Sequence, residues 1–223
     1  TGTDRIVPWL CKKYKYDYVC RFNGADNAGH TVYLEDGTKI VLHLVPVGIL
    51  EPNTKAIIGH GCMVNPKRLL EEIEMLEGLG IQVKDRLFVS ENCHVILPEH
   101  IEREIGSGEA DRIGSTKRGV APCASDKYNR TGAKIKDVID HDEYSKLEPY
   151  LADTISLLHN NLDKEILCEA AQGFALDIDM GMYPFVTSSN TTIGAVMTGL
   201  GAPASKIRRV IGIIKAYNTK VGT

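Results

Sequence analysis

The sequence predicts an α/β protein built on a parallel or mixed sheet. Three observations carry that reading. Short apolar runs of strand length, such as Tyr18-Val19-Cys20 and Ile166-Leu167-Cys168, alternate with stretches whose leucines and isoleucines recur at helical spacing. Glycine-rich polar loops separate these runs, and no internal repeat or heptad pattern is visible. The 223 residues, 43% hydrophobic and 25% charged, have the length and balance of one compact domain.

The elements follow in order. Residues 17–22 read as a short strand, with Tyr18, Val19, Cys20 and Phe22 as its apolar members. Residues 24–30 are rich in glycine and asparagine and read as a loop. Residues 32–34 and 39–44 flank Asp36-Gly37, a tight-turn pair, and so predict a hairpin. Residues 56–58 form a further strand. Asn65 is a helix cap and Pro66 suits the first helical position, ahead of Leu69, Leu70, Ile73, Leu76 and Leu79 on one face. Gly78 and Gly80 end that helix. Residues 86–89 and 94–97 are strand-like, and residues 98–104 start a short helix. Residues 106–131 read as a long polar loop. Residues 146–162 read as a helix, because Leu147, Leu151, Ile155, Leu158 and Leu162 share one face. Residues 165–170 are a buried strand, 173–192 a second loop-rich stretch, 194–199 a helical segment, and 209–217 a strong strand.

Composition excludes several classes. With 26 Lys plus Arg against 29 Asp plus Glu, the net charge is −3, and the pI is about 6.2. Nothing at whole-chain level calls for a nucleic acid or a membrane as partner. No apolar run reaches the ~18 residues of a membrane helix, and no signal-peptide core opens the chain. The six cysteines are scattered without a CxxC pair and read as small buried thiols in a reducing, cytoplasmic compartment. The seven histidines show no metal-site spacing.

Three loops carry unusual chemistry. In Asn23 to Thr31, small residues let backbone N–H groups approach a ligand oxygen, and His30 can donate a proton to a phosphoryl or carbonyl oxygen. A glycine turn with a surface histidine would read the same. Ile113-Gly114-Ser115-Thr116-Lys117-Arg118-Gly119, followed by Asp126-Lys127-Tyr128-Asn129-Arg130, suits a phosphate monoester, or a solvated basic loop. Its glycine–lysine spacing is not that of a Walker A loop. Glu169-Ala170-Ala171-Gln172-Gly173 and the hydroxyl run Thr187-Ser188-Ser189-Asn190-Thr191-Thr192 suit a ligand-facing loop or a turn that caps the next helix. All three can meet at the ends of sheet strands, where open α/β folds bind ligands.

Taken together, the chain resembles the adenylosuccinate synthetase family. The matching pieces are Asn27-Ala28-Gly29-His30-Thr31, His43-Leu44-Val45-Pro46 with Gly48-Ile49-Leu50, Ile113-Gly114-Ser115-Thr116 with Arg118-Gly119, and Asp126-Lys127 with Arg130. They continue through Glu169 to Gly173, Asp177-Ile178-Asp179, Tyr183 to Thr192, and Lys215-Ala216-Tyr217 with Lys220-Val221-Gly222. They run in family order over nearly the whole chain. The resemblance implies a P-loop-NTPase-like fold with a mixed, mostly parallel sheet flanked by helices. It also implies a GTP- and magnesium-dependent ligation of L-aspartate to IMP through 6-phosphoryl-IMP, in AMP biosynthesis.

Residue roles follow from the same resemblance. His30 is similar to the catalytic histidine beside the 6-oxygen and the transferring phosphoryl. The Gly29 carbonyl is similar to a magnesium ligand, and Gly29, His30 and Thr31 form the GTP-phosphoryl loop. Asn27, Ser115, Thr116, Gln172 and Thr187 are similar to IMP contacts. Arg130 resembles an arginine that one subunit supplies to the IMP phosphate of its partner, which implies a homodimer.

Departures from the family pattern set further expectations. The family opens with a strand and a GDEGKGK loop, whose first acidic residue is catalytic base and magnesium ligand. Here Gly2-Thr3-Asp4-Arg5 stands in its place, with Asp4 out of register for the base. First strand and P-loop are thus expected to be missing or degenerate. Members also continue past residues 220–222 with the aspartate-binding loop and the guanine-recognition residues. Residues 1–223 are therefore expected to form one domain, incomplete at both ends, that turns over weakly or not at all as it stands. The short spacing from Arg130 to Gln172 looks like the compact archaeal-type branch. Two alternatives stand beside this reading: a non-catalytic nucleotide-binding remnant that keeps Thr116, Arg130 and Thr187, and a viral-type synthetase that uses dGMP.

Overall fold

The computed structural model describes residues 3–214 and Ala216. Its elements in chain order are α1 (Thr3–Tyr14), β1 (Tyr18–Arg21), β2 (His30–Tyr33), β3 (Lys39–Leu42), β4 (Lys55–Ile58), β5 (Met63–Val64) and α2 (Pro66–Gly78). They continue with β6 (Leu87–Ser90), β7 (His94–Val95), α3 (Pro98–Gly106), α4 (Glu109–Ile113), α5 (Val120–Asn129), α6 (Ile135–Val138), β8 (Leu151–Ala152), α7 (Thr154–His159), β9 (Ile166–Glu169) and α8 (Gly194–Leu200).

The main sheet has the order β8-β6-β4-β1-β9, and every pairing in it is parallel. Two-residue alternation explains its two covered faces. Val19, Ala56 and Ile58 turn to one side, onto Val7 and Cys11 of α1 and Leu69, Ile73 and Leu76 of α2. Tyr18, Cys20, Phe22 and Ile57 turn to the other, onto Leu158 of α7 and Ala195, Val196 and Leu200 of α8. A parallel sheet buried on both faces explains the apolar strand runs of the sequence. The β2–β3 hairpin is antiparallel, as the Asp36-Gly37 turn predicts, and β5 with β7 makes a small parallel pair. A third small core forms under α5, where Val120, Cys123 and Ala124 meet Ala25, Met63 and Ile96.

The helix after residue 65 forms as predicted. The Asn65 side chain accepts from the Arg68 N–H at 3.2 Å, and Pro66 occupies the first turn. Within α2, Glu72 is buried and its carboxylate accepts from the N–H groups of His43, Leu44 and Val45 at 2.8–3.1 Å. Burial raises its pKa above the usual carboxylate range, against the smaller downward pull of those three donors. Glu72→Gln has only one oxygen to offer, so its NH₂ confronts a buried N–H. We expect denaturant unfolding to show a loss of about 1–3 kcal/mol.

Three expectations need correction. The stretch 106–131 is not a continuous loop, since it holds α4 and α5; the glycines at 108, 114 and 119 are the left-handed residues that bound these helices. The stretch 146–162 is not one helix. Pro149 limits the first part to a 3₁₀ turn over Ser145–Tyr150, β8 follows, and Asp153 caps the short α7 by accepting from the Ser156 N–H. Residues 209–214 form no strand, and Val210 and Ile214 are exposed. Their strand propensity is realised only against a neighbouring strand, and none of the described strands pairs with them. Lys215 and 217–223 lie outside the described residues. Thr3 to Arg5 form the first turn of α1, while Gly2 lies outside the described residues. Among the described residues the cysteines are free, and all are buried except the half-buried Cys168. No helix among them is long and apolar enough to cross a membrane.

Candidate functional site

The site lies beyond the carboxyl ends of β1 and β9, the position that parallel strands leave open for ligands. The loops that follow these two strands touch. Gly24 has φ +90°, and a Cβ there would lie 2.6 Å from the Ala171 Cβ, so only glycine allows the approach. Asn23 bridges the same loops, accepting from the Ala171 N–H at 3.0 Å and donating to its carbonyl at 3.3 Å. One residue on, Gln172 is held at φ +62°. Its Nε2 donates to Asn27 Oδ1 at 3.0 Å. Two residues predicted from separate motifs are thereby hydrogen-bonded to each other.

The second wall is the segment between α4 and α5. Glu104 of α3 is buried, and its carboxylate accepts from the Ser115 hydroxyl and from the Gly119 N–H, each at 2.5 Å. These contacts shape the Ser115-Thr116 turn and present the N-terminus of the ten-residue α5 to the cavity. Uncompensated N–H groups at such a terminus favour an anion.

The third wall is residues 176–188. It is held from behind by the buried Asp177, which accepts from the N–H groups of Asp179, Met180 and Thr191 and from the Asn190 amide. Burial raises the Asp177 pKa, but the four donors outweigh it and hold the carboxyl at about 2. A folded pKa below the ordinary aspartate value of 3.8 contributes stability that is complete above that value and is lost as pH falls towards 2. Acid titration monitored by Phe185 and Tyr183 resonances should therefore show this wall loosening between about pH 4 and pH 2. In Asp177→Asn the step should be absent and the wall already loosened at neutral pH.

These walls enclose a cavity of about 310 Å³, within the range of small-molecule sites. Asn27, Gly29, His30, Ser115, Thr116, Gln172 and Thr187 all line it. Its apolar lining comes from Ile113, Val120, Leu176, Phe185 and Val186, a surface fit for a flat ring next to a phosphate-binding turn. Sequence reasoning quoted Ile113, Phe185 and Val186 only inside motifs and gave none of the five a role, because only the folded walls set them opposite one another.

Two predicted residues lie elsewhere. Thr31 lines a second hollow with Arg5, Pro8, Val32 and Tyr33. It follows His30 in β2, and alternation sends the two side chains to opposite faces. Arg130 ends α5, exposed and at φ +64°. The cavity touches Val120 at the other end of that helix, about 15 Å away at a rise of about 1.5 Å per residue.

The floor is charged. His30 is 1% exposed and its Nδ1 lies 3.3 Å from Glu169 Oε1. The same oxygen accepts from Arg21 Nη2 at 3.0 Å, and Glu169 Oε2 accepts from the Val47 N–H at 3.0 Å. The other arm of Arg21 donates to the His43 carbonyl. Beside this group, Asp26 is buried, with Arg118 Nη1 at 4.0 Å from its carboxylate. Burial raises the Asp26 pKa against the pull of Arg118, Arg68 and His43.

Magnesium is the metal that the sequence resemblance implies. Among the described residues no group of three or more His, Cys, Asp or Glu side chains is placed to hold a metal. The Gly29 carbonyl alone falls short of the octahedral oxygen set that magnesium requires. The described residues therefore do not make a resident magnesium site.

Comparison with known proteins places these features in context. The family model described as adenylosuccinate synthetase matches residues 1–146 and 142–223. The adenylosuccinate synthetase of Thermodesulfovibrio yellowstonii is 39% identical over 260 aligned positions, covering 99% of this chain and 60% of that protein. The fully ligated adenylosuccinate synthetase structure from Plasmodium falciparum superposes with a TM-score of 0.88 at 34% identity, over 100% of this chain and 60% of that one. A cyanophage S-2L succinoaminodeoxyadenylate synthetase, solved with dGMP and with dATP as energy donor, superposes with a TM-score of 0.77 at 28% identity, over 92% of this chain and 57% of that one. The chain thus spans about 60% of the length of the curated relatives it matches.

Proposed function

Because the chain belongs to the adenylosuccinate synthetase family, we propose that it serves the ligation of L-aspartate to IMP driven by GTP. The observation that carries this reading is the cavity itself. Seven residues predicted from three distant loops line one space that has an apolar wall and the N-terminus of α5 at its edge.

The proposed chemistry has two stages. The 6-oxygen of IMP attacks the γ-phosphoryl of GTP, releasing GDP and forming 6-phosphoryl-IMP. The aspartate amine then displaces phosphate and yields adenylosuccinate. An oxygen leaves poorly from the purine until it is phosphorylated, which is why the nucleotide triphosphate is needed. Magnesium, bound with GTP, supplies charge neutralisation for the phosphates. In this reading the base rests against Phe185 and Val186. Thr116 and Thr187 bind the monophosphate and ribose side with the N-terminus of α5, Ser115 shapes the turn, and Gln172 reads the purine edge with Asn27. His30 acts as general acid at the 6-oxygen, and Gly29 with His30 meets the transferring phosphoryl. Arg130 is too far along α5 to serve its own cavity, so its exposed guanidinium is assigned to the IMP phosphate of a second copy in a homodimer. A cytoplasmic location accords with free thiols and water-soluble nucleotide substrates.

The experiment is product analysis with IMP, GTP, magnesium and aspartate, together with competition binding between IMP and dGMP. Adenylosuccinate, GDP and phosphate in equal amounts would support the reading. IMP binding without turnover would point to a nucleotide-binding remnant. Preference for dGMP would favour the nucleotide bound in the cyanophage relative, whose structure this chain also resembles.

A further inference from the structure

We propose that Glu169 is the positioning residue of His30, holding Nδ1 as the hydrogen-bond donor so that the proton exchanged with a ligand is carried on Nε2. The inference rests on the catalytic reading of His30 given above. It begins with β1 and β9, whose parallel register sets Arg21 directly beside Glu169 at the carboxyl ends of the two strands. His30 opens β2 at the far end of the loop that leaves β1. Arg21, Glu169 and His30 are each about 1% exposed.

Burying a carboxylate costs several kcal/mol unless it is paired and its oxygens are satisfied. Here both oxygens are used. Oε2 takes the Val47 N–H, and Oε1 takes Arg21 while facing His30 Nδ1 at 3.3 Å. A pair that served only to tie β1 to β9 would leave the histidine out. In this geometry the arginine offsets the charge of the carboxylate, and the same carboxylate oxygen stands within reach of the ring nitrogen. An imidazole whose Nδ1–H is committed to a carboxylate carries its reactive proton on Nε2. Replacement of such an orienting carboxylate by its amide lowers turnover by up to about 10⁴-fold in acid–base dyads. Sequence reading singled out Glu169 only as part of a motif, because nothing local indicates that it reaches a residue 139 positions earlier (169 − 30).

The test is ¹⁵N-histidine NMR on wild type, Glu169→Gln and Glu169→Asp, joined to kinetics. Neutral His30 should be the Nδ1–H tautomer in wild type and a mixture in Glu169→Gln. Glu169→Asp keeps the charge but withdraws it by one methylene, and should shift the tautomer the same way, less far. It also serves as the readout if the amide variant fails to fold. Turnover should fall about 10²-fold in Glu169→Gln, with the KM for IMP within about twofold. In a His30→Ala background the same change should cost less than about threefold. An unchanged tautomer in both variants would overturn the proposal, as would an equal loss in the two backgrounds. A wild-type protein that makes no adenylosuccinate would sink the ligase reading alone, because the tautomer still decides the role of Glu169.

Discussion

His30→Ala is expected to lower kcat for adenylosuccinate formation by about 10²–10⁴-fold, the span of a general acid–base contribution. The dissociation constant of IMP should stay within about threefold, since a group that acts on the developing charge contributes to the transition state rather than to ground-state binding. Single-turnover formation of 6-phosphoryl-IMP separates the two. His30 is buried, so its removal also leaves a void, and thermal unfolding reads that cost independently. A variant that binds IMP like wild type yet loses turnover fits the acid role. A loss of less than tenfold with intact folding would remove His30 from the chemistry.

Gly199→Ala is expected to damage the fold rather than the site. Gly199 in α8 faces the end of β1 with no side chain between. A Cβ at this position would lie 2.0 Å from the Phe22 carbonyl oxygen and 3.0 Å from its carbon, and Gly61 lies against it from the next loop. The Gly61 N–H donates to the Gly199 carbonyl at 3.0 Å, so the two backbones are also tied. Carbonyl backbone cannot rotate away as a flexible side chain would. Alanine returns at most about 1 kcal/mol of helix propensity. The net loss should be about 2–3 kcal/mol, read as a fall in Tm of roughly 4–12 °C for a chain of this size. An unchanged Tm would mean that α8 can slide off β1 freely. Because Phe22 leads into the Asn23–His30 loop, IMP binding should weaken along with stability.

The expected elements that formed share a physical property: their signal is local. The apolar run of Tyr18 to Phe22, the Asp36-Gly37 turn, and the Asn65-Pro66 cap with its leucine stripe each state their own conformation. The failures came where a local signal met a non-local condition. Val210 to Ile214 have strand propensity, but a strand forms only against a partner. The stripe Leu147 to Leu162 has helical spacing, but Pro149 and the Asp153 cap divide it. The polar run 106–131 looked structureless because α4 and α5 bury few large apolar side chains, using Ala110, Cys123 and Ala124 instead.

The candidate site divides in the same way. The loops were legible because unusual residue types cluster within a few positions: glycine with His30, hydroxyls with lysine and arginine, Gln172 with a hydroxyl run. Their chemistry is a property of the residues, and family resemblance extends it. What no stretch of chain contains is the meeting of those loops. Parallel pairing brings Arg21 beside Glu169 across 148 residues. Close approach at Gly24 joins Asn23 to Ala171, and Glu104 reaches across from α3 to fix Ser115. The two-sided alternation of β2 turns His30 into the site and Thr31 out of it, and the length of α5 carries Arg130 away from its own cavity. Residue chemistry is written locally, whereas distance, burial and pairing arise only when strands far apart in the chain share one sheet.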